Sequence, residues 1–138
     1  MTTTKRQVKL LGRDEIFAAV DIQAEVVAVP EWGGSVRVLG LTGSQRDQYE
    51  AWIISGKGKN RDVNLRQARA KLVMMCAVDV EGKRLFDEAD IIRLGQRSAL
   101  ALQRVFDKAA ALSGLDEDTL EKIQDDLGNA PSDDSGSA

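Results

Sequence analysis

Few residues of this 138-residue chain are of types that do chemistry. Histidine is absent, which removes the commonest general base, the Ser-His and Cys-His nucleophile pairs, and the usual ligand of zinc and haem sites. A single cysteine, Cys76, excludes an internal disulfide and a thiolate zinc cluster. It falls on an apolar helical face, where a small buried hydrophobe is the expected role. Carboxylates stand side by side at Asp125-Asp126 and Asp133-Asp134, but adjacent residues do not face one another across a substrate, so these read as solvated surface. The run Gly56-Lys-Gly-Lys-Asn60 has a superficial phosphate-loop composition. A phosphate loop needs G-x-x-x-x-G-K-[ST] between a buried strand and a helix. Here Asn60 takes the place of Ser/Thr, the spacing differs and the preceding segment reads as helical, so a basic loop between helices is the better account. No catalytic, cofactor-binding or metal-ligating set emerges, no cofactor is implied, and the inventory points away from an enzyme.

Binding chemistry has more to work with. Residues 85–106 fit the outline of a helix-turn-helix, with a turn at Gly95 and a second helix from Ser98. That second helix opens Ser-Ala-Leu-Ala-Leu and offers polar groups only at Gln103 and Arg104, so a core helix is the better reading than a DNA reader. The two tryptophans are different in kind: Trp32 lies at a turn and Trp52 on a helix beside Tyr49. Aromatics so placed serve as lids on a core or as interface anchors. With Val36 and Val38 of a neighbouring strand, Trp32, Tyr49 and Trp52 are the residues expected to touch a partner.

The elements that position them follow from periodicity. In residues 64–78, Leu65, Ala68, Leu72, Val73, Met75 and Cys76 fall on one helical face, with Arg66, Arg69 and Lys71 largely off it. Glu81-Gly82 supplies a turn, and Leu85-Phe86 are apolar anchors beyond it. Asp87 is a helix N-cap, with Glu88 and Asp90 in the first turn. A long helix starts near Ser98 and stacks Leu102, Val105, Phe106, Ala109 and Leu112 on one stripe, so the two longer helices should pack together. Upstream, residues 14–21 read as a short helix with Ile16, Phe17 and Val20 apolar. Residues 23–29 and 35–39 read as strands joined by Glu31-Trp32-Gly33-Gly34, a hairpin near residues 24–39. A lone hairpin is marginal in water, and its exposed edge invites pairing with another chain. Thr42 and Gln45 form a capping box for a helix over 43–55. A last short helix spans 115–127 with Leu120, Ile123 and Leu127 in register. The reading is therefore mainly α with a small N-terminal antiparallel hairpin, in one domain. Residues 1–12 form a flexible start, 13–127 the helical body, and 128–138 a disordered polar, acidic tail.

Bulk composition agrees with a small globular protein: 43% hydrophobic, 30% charged and only 4% aromatic, so the core must be aliphatic. No apolar run approaches the roughly 18 residues that would span a bilayer. Met-Thr-Thr-Thr-Lys-Arg at the start has no hydrophobic segment behind it, so no secretory signal is expected, and a reducing cytoplasm is. Residues 116–138 carry eight acids against one base, Lys122, for −7; since the whole chain is −3, the remainder is +4. Solubility is the simpler use for such an acidic end, and self-shielding of a binding face is the alternative.

Two longer stretches carry a family likeness. Val29-Pro-Glu-Trp-Gly-Gly-Ser-Val-Arg-Val, continuing through Leu41-Thr-Gly-Ser-Gln-Arg-Asp-Gln-Tyr-Glu50, resembles the N-terminal half of tail assembly chaperones of long-tailed (siphovirus-type) phages and prophages of Gram-positive bacteria. Arg69-Ala-Lys-Leu-Val-Met-Met-Cys-Ala-Val-Asp-Val-Glu-Gly-Lys-Arg-Leu-Phe86, Ser98-Ala-Leu-Ala-Leu-Gln-Arg-Val-Phe106 and Leu112-Ser-Gly-Leu115 resemble the C-terminal half. These motifs mark turns and apolar faces rather than chemistry, and together they cover roughly Val8 to Leu127. The resemblance implies a protein of the host bacterial cytoplasm that coats and solubilises the tape measure protein, recruits major tail (tube) protein subunits and leaves before the virion is complete. It also implies a longer frameshifted form extended beyond the acidic end; self-association into oligomers is expected beside it from the free hairpin edge, and no nucleic acid or membrane partner is. The alternatives are a structural tail-completion or connector protein of the virion and, lower, a small DNA-binding regulator.

Overall fold

In the computed structural model, which describes residues 8–55, 66–115, 120, 121 and 123, the elements run α1 (Arg13–Ala18), β1 (Ala24–Val29), β2 (Gly34–Leu39), α2 (Gly43–Ser55), α3 (Ala68–Cys76), β3 (Ala77–Val78), α4 (Ile91–Gly95) and α5 (Ala99–Ser113). The fold is mostly helical with a three-stranded antiparallel sheet in the order β1-β2-β3. Helix α5 is the centre, packed on α3 on one side and on β1 and β2 on the other.

The hairpin forms as the residues predict. Ala24 pairs with Leu39 and Val29 with Gly34, and Pro30–Trp32 makes a single 3-10 turn closed by Gly33 at φ +76°, a backbone state that favours glycine. The expectation of two strands is corrected to three. Ala77 and Val78 leave the helix predicted over 64–78 and pair with Val38 and Arg37 of β2. The open edge of β2 satisfies their backbone groups, and this tertiary pairing overrides helical periodicity. The same correction applies to the helix's faces. Every side chain from Ala70 to Val78 is buried, so past its first turn α3 is enclosed all round rather than amphipathic. Even Lys71 is only 9% exposed; its stem lies in the core while its ammonium reaches Glu88 and the Trp52 ring, 5.1 Å from the ring centroid.

Local signals place the remaining ends. Thr42 and Gln45 exchange the reciprocal bonds of a capping box, Gln45 N–H to Thr42 Oγ1 at 3.1 Å and Thr42 N–H to Gln45 Oε1 at 2.9 Å. Asp87 accepts from Ala89 N–H ahead of the 3-10 turn Glu88–Asp90, and Ser98 accepts from Ala101 N–H at the start of α5. On the α5 stripe Leu102, Val105, Phe106 and Ala109 are buried. The C-terminal end of α5 is tied to the β2–α2 connection and to α2: Leu41 N–H donates to Ser113 Oγ at 3.0 Å, and Arg46 Nη1 to Gly114 O at 2.8 Å. Gly40 passes so close that a Cβ there would stand 2.7 Å from Leu112 O.

Three further expectations shift. The helix predicted over 14–21 is shorter, Arg13–Ala18, and buries nothing. Leu85 is 49% exposed and so is no anchor, whereas Phe86 packs on the core. Of the helix over 115–127, Leu120, Glu121 and Ile123 are helical, with Ile123 fully buried. The basic loop 56–61, Leu127 and the tail 128–138 lie outside the described residues, as do residues 1–7 of the predicted flexible start; residues 8–12 have no regular structure.

Candidate interaction surface

The five residues singled out in the sequence fall into two groups. Tyr49 is fully buried, its hydroxyl donating to Ala68 O at 2.8 Å, and its ring stacks on Trp52 with centroids 6.4 Å apart. Burial pushes the Tyr49 hydroxyl well above its ordinary pKa, so it stays a neutral donor. Trp52 is half-buried under Lys71. These two bind α2 to α3. Val36 and Val38 stand on the sheet face turned to α5, Val38 with no exposure and Val36 half-buried. Trp32 is half-buried in the turn after β1. That turn is clamped to α5 by a bidentate pair, Arg104 Nε and Nη2 each 2.9 Å from a Glu31 oxygen. The guanidinium holds the Glu31 carboxyl below the usual carboxylate range. Val38 and Tyr49 are thus closed to solvent, and any partner contact within the predicted set falls to Trp32, Val36 and Trp52.

A larger apolar surface lies elsewhere, where the sequence suggested only a short helix. Val8, Leu10, Leu11, Ile16, Phe17 and Val20 are each more than half exposed, Phe17 at 74% and Val20 at 97%. They sit on an N-terminal arm, residues 8–20, whose helix α1 has no buried residue. A helix of six residues is not stable alone in water. Local bonds support it only partly: Gly12 N–H donates to Glu15, and Arg13 lies 5.1 Å over the Phe17 ring. Six large apolar side chains on an arm that buries none of them, two of them (Ile16 and Phe17) on its short helix, have the composition of a docking element. The clue in the sequence was present, since Ile16, Phe17 and Val20 read as an apolar face, but nothing local shows whether such a face turns inward or outward.

The arm leads directly into β1, the open edge of the sheet. Gly40 N–H donates to Gln23 O at 2.9 Å in the register that pairs Ala24 with Leu39. In an antiparallel ladder this makes 23, 25, 27 and 29 the residues bonded to β2, so Ala24, Val26 and Ala28 direct their N–H and C=O groups outward. Val26 is 61% exposed. The arrangement offers two ways to hold a protein segment: strand addition along β1 and burial of an apolar helix face against the arm. Among the described residues no group of His, Cys, Asp or Glu side chains converges to hold a metal ion, and no helix is long and apolar enough to cross a membrane.

No family model matches the chain, and no curated protein does. Among solved structures it is similar to the bacteriophage HK97 tail assembly chaperone, with 15% sequence identity and a TM-score of 0.51 over 66% of this chain and 85% of that one. At that identity the likeness is one of fold.

Proposed function

We propose that this protein is a phage tail assembly chaperone, a binding protein and not an enzyme. Its client is the tape measure protein, which it keeps soluble in the host bacterial cytoplasm while major tail protein subunits are recruited. The observation that carries this reading is the exposed apolar arm beside the open β1 edge. A protein whose work is to cover a long, apolar, helical client needs accessible apolar surface of this kind, and each copy binds weakly because many act along one client. The fold shared with the HK97 tail assembly chaperone supports the same assignment. A Gram-positive host and a frameshifted longer form rest on the sequence resemblance alone.

The arm gives the test. Ile16→Asp and Phe17→Asp place charge on side chains that are 52% and 74% exposed, so thermal stability should change by no more than about 0.5 kcal/mol. If the arm is buried on the client, losing one large apolar contact of about 1.5–3 kcal/mol weakens capture of the tape measure protein tenfold or more. Capture by both variants at the wild-type level would contradict the assignment of this surface.

A further inference from the structure

Seven of the described cations are in ion pairs. Six are not, and four of these, Arg66, Arg69, Arg93 and Arg97, gather at one end of the molecule, where the start of α3 meets the turn between α4 and α5. Arg66, Arg69 and Arg97 line a groove of about 420 Å³ together with Gln103 and the apolar Leu102, and among the described residues no acidic one lines it. Arg97 also borders a second cavity of about 290 Å³, shared with Arg93 and Asp90. Arg69 lies 5.8 Å over the Phe106 ring, and its Nε is buried with no hydrogen-bond partner. A guanidinium held in place with an unused donor favours an acceptor. Ala99, at the N-terminal end of α5, opens onto the same groove, so the helix dipole adds to the positive potential.

We propose that this groove binds carboxylates and that its occupant is the chain's own acidic segment, residues 124–138. That segment carries Asp125, Asp126, Asp133 and Asp134 and no cation, the complement of a groove lined by three arginines. It follows Ile123, which is buried in the core. Its 15 residues reach up to about 50 Å. The groove lies at the N-terminal end of α5, a helix of 15 residues that is about 22 Å long, less than half of that reach. Tethering supplies an effective concentration in the millimolar range, so weak carboxylate–guanidinium pairs suffice. The segment then shields the arginine face from other polyanions, a role that holds whether or not the chain carries the client proposed above.

The test compares amide NMR spectra of the full chain and of its D125N/D126N/D133N/D134N variant. Shift changes at Gly95, Arg97, Ala99 and Gln103 that vanish in 0.5 M salt are expected. The exposed-face variant R66Q/R97Q, with the segment intact, should lose the same signature. Changes confined to residues 124–138 would overturn the proposal. So would groove shifts that grow with protein concentration, which place the acidic segment on a second copy.

Discussion

Cys76 has no solvent exposure, and burial pushes its thiol up to about 11. The thiolate needed for alkylation is therefore scarce at neutral pH. Iodoacetamide should modify the native chain far more slowly than the unfolded one, with labelling tracking the unfolding transition; rapid labelling of the native chain would show that α3 opens. Glu31 has the opposite behaviour. Its folded pKa lies below its ordinary 4.5 because Arg104 stabilises the charged form, and Arg104 remains charged throughout. The clamp is therefore intact above about pH 4.5 and is lost as pH falls through the lower, folded value. In a Trp52→Phe background, Trp32 fluorescence should stay flat from pH 8 to 5 and change only in acid, and Glu31→Gln should abolish that change. At this scale the caps at Thr42–Gln45 and Asp87 were legible in the sequence, because these residues bond within three residues of themselves. The fate of Val38 and Tyr49 was not, because their burial depends on α5 and α3, which are distant in sequence.

Helix α3 shows what periodicity leaves out. A 3.6-residue pattern records which side chains are apolar, but it does not record that Ala77 and Val78 will find the edge of β2 or that α3 will be enclosed on every side. The hairpin was easier, since Pro30 and Gly33 mark its turn. How closely elements approach is equally non-local. Nothing in the sequence around Gly40 marks a close approach, yet its Cα faces the backbone of Leu112. Because a backbone carbonyl cannot swing aside, Gly40→Ala should cost about 1–3 kcal/mol, read as a lowered midpoint in chemical denaturation. On the open strand, Val26 directs its N–H away from β2, so Val26→Pro removes no ladder bond. It should leave the fold in place, by circular dichroism, while weakening any partner that adds a strand to β1. Unfolding of this variant would show that the outward groups of β1 already serve the monomer.

The whole molecule separates its two apolar tasks. The core is aliphatic and closed around α3 and α5, while a second apolar set, Val8 to Val20, is left in solvent on an arm that buries nothing. The first was visible in the sequence as stripes. The second was visible only in part, as the apolar face of Ile16, Phe17 and Val20, because exposure is decided by what the arm fails to meet. We propose that this second surface exists for a client. Its most direct test is co-expression of the chain with the tape measure protein proposed as its client, followed by size-exclusion chromatography with light scattering. The expected result is a soluble complex holding several copies of this chain per client, and a client that is insoluble when expressed alone. A client that stays insoluble while this protein elutes unchanged would contradict it.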